Sequence, residues 1–418
     1  MMRNVKCNPS PVLESTPVDL KSGYPFWPIN SGLLGVYPTL KADLDCDVAV
    51  IGAGISGALA SYLLVQAGAS VVTLDRRAVG MGSTSASTAL LQYEVDTPLV
   101  ELTKLVGEAD AVRSYLLCLE AIVKLEQLVG ELGDDCGFER KRSLYLASRP
   151  RDRKALEEEY RARLACGIRL DLLTPDDITA RFSFSAPAAL LSYDAAQVDA
   201  YRLTHALFRK AVAQGLRLYD RTTVTAYEPE AGGVTLTTER GCKVRARKVV
   251  LAAGFEAQQY LRRRVVDFRS SYALVSEPAG PVPGWGEEQC LIWESARPYA
   301  YLRTTSDGRV LIGGEDDALD NDLARDRRLA KKTKRLAKRF HEFFPAHELE
   351  VAYSWAGTFG ETKDGLPYIG TNDEFPNAYF ALGYGGNGIT YSMIAAELIR
   401  DMFCGRPNPD TAIFRFDR

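Results

Sequence analysis

The sequence predicts a mixed α/β fold, in which a parallel-sheet domain carries an inserted, mainly antiparallel one. Three observations lead there. Residues 47–75, DVAVIGAGISGALASYLLVQAGASVVTLD, run strand, glycine loop, helix, strand. Further apolar strands follow much later, in KVVLAAG at 248–254 and AYFAL at 378–382. Between them, 270–316 breaks into short strands with turn signals, the pattern of an antiparallel insert. With 418 residues, 46% of them hydrophobic, the chain has material for about two or three domains.

In chain order, residues 1–43 read as an irregular N-terminal segment, punctuated by Pro and Gly and containing YPFWP at 24–28. After the βαβ unit, 97–132 reads as helix, with Leu and Val recurring at three and four. SLYLAS (143–148) is a strand and 151–165 a charged helix. QVDAYRLTHALFRKAVAQG (197–215) is an amphipathic helix with Asp199 as its N-cap and Gly215 at its end. LRLYD, TTVTAYE and a hairpin-like stretch at 233–254 follow. RPYAYLRTTSDGRVLIGGED is a second hairpin that turns at Asp307-Gly308. Residues 324–340 hold nine basic residues, but Leu329, Leu336, Phe340 and Phe343 form one stripe, so this is a helix docked on a core rather than a nucleic-acid or membrane patch.

Composition narrows the function. Lys plus Arg total 51 and Asp plus Glu 54, a net charge of −3, which argues against a nucleic-acid binder. The N-terminus shows no apolar signal region and no stretch reaches transmembrane length. The eight cysteines (7, 46, 118, 136, 166, 242, 290, 404) are scattered without C-x-x-C, which suggests reduced thiols in a cytoplasm and no metal or iron–sulfur site. Histidine is scarce: only His205, His341 and His347 are available as bases.

IGAGISG at 51–57 carries the chemistry of a dinucleotide site. Gly52 allows the tight turn, Gly54 lets amides approach a pyrophosphate, and Gly57 lets the helix pack against the strand. Ala53, Ile55 and Ser56 complete a loop whose helix N-terminus faces the phosphates. Asp75, 18 residues beyond Gly57, is placed to bond ribose hydroxyls. Arg76 and Arg77 read as a solvated pair beside the adenosine. Small and hydroxyl residues at 78–88, among them Gly82, Ser83, Thr84, Ser87 and Thr88, would pass close to phosphates and ribitol.

Together with QVDAYRLT, VVLAAG, YAYLRTTSDGRVLIGGED and TKDGLPYIG…GYGGNG, these blocks resemble the D-amino-acid oxidase-like family of FAD-dependent oxidoreductases. That group includes glycine oxidase, sarcosine oxidase and γ-glutamylputrescine oxidoreductase. The resemblance runs over nearly the whole chain from about Asp47, although the middle of GSTSAST departs from the family's Arg-Asn pattern. It implies a Rossmann-like FAD-binding domain, discontinuous over 44–112, 190–268 and 354–418, with a substrate domain over 113–189 and 269–353. It also implies adenine contact at Val224 and a second backbone approach at Ala253 and Gly254.

GYGGNG at 383–388 repeats the G-x-G-x-x-G spacing, but only 30 residues follow Gly388, too few for another βαβ unit. A second dinucleotide site is therefore not expected. The resemblance puts this loop beside the flavin ring, where Gly383, Gly385, Gly386, Asn387, Gly388, Ile389 and Thr390 would offer amides and a helix N-terminus to the reduced, anionic flavin. Electrons would then come from the substrate. Strand alternation puts Tyr299, Tyr301 and Arg303 on one face, with Arg303 positioned to bind a carboxylate. Lys363 would set a cation near flavin N5.

The expected function is FAD-dependent oxidation of a C–N bond in an amine or amino acid, by hydride transfer to flavin N5, giving an imine that hydrolyses. Oxygen or a quinone-linked carrier would reoxidise the flavin. Two alternatives stand beside it: a 2-hydroxy acid or polyol-phosphate dehydrogenase on the same fold, and a non-catalytic flavin-binding protein.

Overall fold

The computed structural model describes residues 19–319 and 321–418. The first eighteen residues, with Cys7 and the stretch read as lacking a signal, lie outside them. Among the described residues the strands form two sheets, of eight and ten.

The eight-stranded sheet is built on the βαβ unit. Leu44–Ile51 lies between Val71–Leu74 and Lys243–Leu251, parallel to both, with Ala378–Leu382 parallel on the far side of Lys243–Leu251. Arg217–Tyr219 extends one edge in parallel, and Tyr368–Gly370 the other antiparallel. Val48, Ala49, Val50 and Leu251 are fully buried, as strands covered on both faces must be. The hairpin of Val224–Glu230 and Gly233–Thr238 joins Lys243–Leu251 antiparallel.

The ten-stranded sheet is antiparallel except where Leu291–Glu294 runs parallel to Glu139–Leu146. Ala300–Thr304 and Val310–Ala318 form the hairpin expected around Asp307-Gly308, and Gly308 takes φ +77° at the turn. The basic helix, Asp322–Phe343, lies on this sheet with Leu336, Phe340 and Phe343 buried. Two of its charges are buried as well: Lys332 is held by Glu315 and Asp317, and Arg325 by Asp19 and Asp326.

Three expectations are corrected. The helix over 97–132 is two, Leu99–Val106 and Glu108–Leu132, parted at Gly107, whose φ of +88° breaks the helical path. The stretches 44–112, 190–268 and 354–418, read as the FAD domain, each give a strand to the second sheet: Leu90–Leu91, nearly all of Ala189–Gln197 and most of Val351–Glu361. Residues 19–43 are not simply irregular. Lys21–Gly23 adds an edge strand to Val351–Glu361, and Phe26–Ser31 is a short helix with Phe26 and Trp27 buried. Among the described residues no helix is long and apolar enough to cross a membrane.

Candidate active site

The first glycine loop is fixed by what a side chain would strike. A Cβ on Gly52 would stand 2.3 Å from the Ala252 carbonyl oxygen, and one on Gly57 1.8 Å from the Gly52 carbonyl oxygen. The strand thus leaves in a left-handed turn (φ +114° at Gly52) and helix Ile55–Gln66 starts hard against it. Gly54, its N-cap, offers no capping side chain; Thr84 Oγ1 takes the Ile55 amide instead, at 3.0 Å. Asp75 accepts the amides of Ala53 at 2.6 Å and Arg77 at 2.7 Å, while burial pushes its carboxyl up to about 6.

The second glycine loop meets the first. Gly383 and Gly385 take positive φ, +80° and +54°. Gly386 donates its amide to Asp96 Oδ2 at 2.8 Å, and Asn387 Nδ2 donates to the carbonyls of Gln92 and Glu94 at 3.0 and 2.8 Å. The Asn387 side chain is therefore turned away from helix Gly388–Phe403, whose N-terminus has no side-chain cap. This helix packs on the first, with Ser56 and Ser392 hydroxyls 2.7 Å apart. Two helix N-termini, each a source of free amides and positive potential, open on one cavity of about 490 Å³.

Most predicted residues line it: Gly52, Gly54, Ile55, Ser56, Asp75, Arg76, Arg77, Gly82, Ser83, Thr84, Ser87, Thr88, Val224, Ala253, Gly254, Gly383, Gly385, Gly386, Asn387, Gly388 and Ile389, with Tyr299 and Tyr301. Ala53, Gly57 and Thr390 stand behind the wall: Ala53 binds Asp75, Gly57 packs helix to strand, and Thr390 bonds the Gln92 carbonyl. Arg76 and Arg77 are not a solvated pair. Both are held by Glu256, a half-turn beyond the Ala253-Gly254 approach.

Two predicted residues are misplaced. Arg303 shares a strand face with Tyr299 and Tyr301 but is buried away from the cavity. Its guanidinium donates to the carbonyls of Thr88, Ala89 and Val198 at 3.1, 2.9 and 3.0 Å and lies over Trp27. Burial pulls its pKa down to about 9. Lys363 is exposed and donates to the Arg418 carbonyl at 2.6 Å, because the turn at Asp364 is tied to Arg418 rather than to the cavity. None of the three histidines lines the cavity. His205 is buried against Tyr201, and desolvation lowers its pKa to about 4.

Sequence reasoning missed Asp96, Glu256, Trp293 and Asp316. Asp96 receives Tyr299 Oη at 3.3 Å as well as the Gly386 amide. Tyr301 Oη is 3.3 Å from Ser271 Oγ, and its ring lies across Gly313, where a Cβ would come within 2.4 Å. The only signal for Asp316 was its place in IGGEDD, on the strand paired with the Tyr299–Tyr301 strand.

A glycine loop at one helix N-terminus and a second uncapped helix N-terminus, opening on one elongated cavity, suit a flavin dinucleotide. Ser83 Oγ adds to the fit: it lines the cavity at the first loop, buried and without a partner, where a phosphate oxygen can accept its proton. Such a protein is a flavin-dependent oxidoreductase. The chain belongs to the FAD dependent oxidoreductase (DAO) family, whose model matches residues 47–402. It is 28% identical to the glycine oxidase of Geobacillus kaustophilus (strain HTA426) over 85% of this chain and 92% of that protein. A crystal structure of glycine oxidase from Geobacillus kaustophilus superposes with a TM-score of 0.76 at 25% identity, covering 90% of this chain and 99% of the other. A protein of Bacillus subtilis (strain 168), YhfW, named for a Rieske 2Fe-2S group, is 26% identical over 93% of this chain and 74% of its own. γ-Glutamylputrescine oxidoreductase of Escherichia coli (strain K12) is 23% identical over 88% of this chain and 86% of its own.

Proposed function

We propose that this enzyme oxidises the C–N single bond of an amine or amino acid to an imine, which water hydrolyses to a carbonyl compound and the freed amine. The reading rests on the geometry of the cavity. One end cradles a dinucleotide, and the other is walled by Tyr299, Tyr301, Trp293 and the 383–388 loop. The names of the glycine oxidase and γ-glutamylputrescine oxidoreductase relatives support it. Bound FAD supplies the two-electron acceptor for the hydride that leaves the substrate carbon.

The chain's own groups bind, orient and exclude water. Gly52, Gly54 and Ser83 would hold the phosphates of FAD, and Asp75 its ribose. The uncapped N-terminus of Gly388–Phe403 would stabilise negative charge on a flavin bound beside it. Tyr299 and Tyr301, both buried enough to keep their phenols protonated, position the substrate. Oxygen or a quinone-linked carrier takes the electrons onward. The scattered, free thiols favour a cytoplasmic setting.

The experiment is an anaerobic visible spectrum of the flavin-loaded protein while amines, amino acids and hydroxy acids are added in turn. Bleaching by an amine or amino acid supports the reading. Bleaching only by a hydroxy acid would replace it with alcohol oxidation, and bleaching by none would leave a non-catalytic flavoprotein.

A further inference from the structure

The ring end of the cavity is acidic, and among the described residues no cation lines it. Asp316, on strand Val310–Ala318, lines this wall; Ser271 hydrogen-bonds its carboxyl, while Oδ1 is buried and without a partner. Asp96 lines the same wall. The nearby cations are engaged elsewhere. Arg303 faces backbone carbonyls, and Arg76 and Arg77 are bound to Glu256 at the nucleotide end. Arg297, an exposed residue, lies 4.7 Å from the centre of the Tyr299 ring and is engaged there and by the Asp96 backbone carbonyl, to which it donates at 3.4 Å. A buried carboxylate oxygen with no donor is costly, about 1–3 kcal/mol or more for a charged group, so the observation points to a ligand that brings the donor. A carboxylate placed here would instead face two others.

We propose, resting on the amine-oxidation reading above, that this site receives its substrate as a cation held by Asp316 and Asp96, whose ammonium passes one proton to the Asp316 carboxylate before hydride leaves the neighbouring carbon, and rejects amines with a carboxylate beside the reacting carbon. The substrate class is then amines or diamines rather than α-amino acids. Burial, with Asp96 and Glu361 nearby, pushes the Asp316 carboxyl up to about 7, against the opposing pull of Arg297 and Ser271. The phenols of Tyr299 and Tyr301 also face it and stay neutral. Cation binding therefore weakens on the acid side of that value.

The test uses two probes of one shape and opposite charge, tert-butylammonium and pivalate. Neither has a hydrogen on the carbon that bears the charged group, so neither can be oxidised there. Calorimetric titration of the flavin-loaded protein should give at least tenfold tighter binding of the ammonium. Asp316→Asn, checked for unchanged flavin content, should lose about tenfold of that affinity and none for pivalate, the loss of one charge-assisted hydrogen bond. Equal affinities, tighter pivalate, binding of neither, or an unaffected Asp316→Asn protein would each overturn the proposal. The probes report on the cavity whether or not any substrate reduces the flavin. Ammonium selectivity without bleaching by any amine would sink the oxidation reading alone, while bleaching by an α-amino acid together with tight pivalate binding would sink this one alone.

Discussion

At the scale of single residues, the site depends on a few side chains whose environment reverses their ordinary behaviour. Asp316 and Asp75 are carboxyls pushed up to about 7 and about 6, chiefly by burial. Each holds its proton longer in the folded than in the unfolded chain. The stability they contribute is complete below about pH 4, the unfolded value, and is lost as pH rises through the folded one. The melting temperature of Asp316→Asn, measured without ligand, should therefore gain on the wild type between about pH 4 and pH 7. Arg303 makes the opposite point. Arg303→Ala would strand three backbone carbonyls, so urea denaturation should report a loss of about 2–5 kcal/mol, with pivalate affinity in the folded fraction unchanged. The period of two in RPYAYLR put Tyr299, Tyr301 and Arg303 on one face, and that is where they are. What no period reveals is that the 88–89 segment covers the Arg303 end of this face and leaves the two phenols open.

Among the elements, the glycine loops were legible because their demands are local. Gly52 and Gly57 answer to backbone atoms a few residues away or on the adjoining strand, and the spacing records this. Gly57→Ala should bring the helix and the Gly52 carbonyl into collision, and purified protein should carry little flavin per chain and melt well below the wild type. The N-terminal segment was illegible for the converse reason. Its work lies in partners far along the chain: Trp27 Nε1 donates to the Ser87 carbonyl at 2.6 Å, and Lys21 Nζ to Ser85 Oγ at 2.8 Å. Leu20 lines the cavity itself. This short helix and strand brace the 83–89 segment that lines the cavity. Trp27→Ala should cost about 3–5 kcal/mol in denaturant and raise the rate of FAD loss, followed by the fluorescence of released flavin. Asp96, Glu256 and Asp316 escaped notice likewise, since a lone acid in a loop or at a strand end looks the same whether it faces solvent or a cavity.

Across the whole molecule, the cavity lies where the two sheets meet, and neither completes it alone. The eight-stranded sheet brings the first loop, Asp75 and Ala253-Gly254; the ten-stranded sheet brings Ser271, Tyr299, Tyr301 and Asp316. Residues 83–96, which connect the two, contribute to both ends. A ligand that touches both sheets joins their stabilities, so FAD should raise the melting temperature of the apoprotein and merge any two-step unfolding into one, as read by calorimetry. The α/β class and the antiparallel insert could be read from the sequence, because buried parallel strands and hairpin turns mark themselves locally. The assignment of Ala189–Gln197 to the second sheet could not, since its partners are Glu139–Leu146 and Leu170–Leu173.

The order of these parts along the chain also bears on how the protein is born. The first glycine loop, Gly52–Gly57, leaves the ribosome early, but its strand has no neighbour on one side until Lys243–Leu251 emerges. The second glycine loop, Gly383–Gly388, comes later still, at the start of a helix that packs against the first. Synthesis runs from the N-terminus, so the nascent chain exposes half a cradle long before it can close one. Flavin capture is then a late event of biogenesis. Ribosome-bound chains arrested before Gly383 should fail to retain FAD, and the full chain after release should hold it.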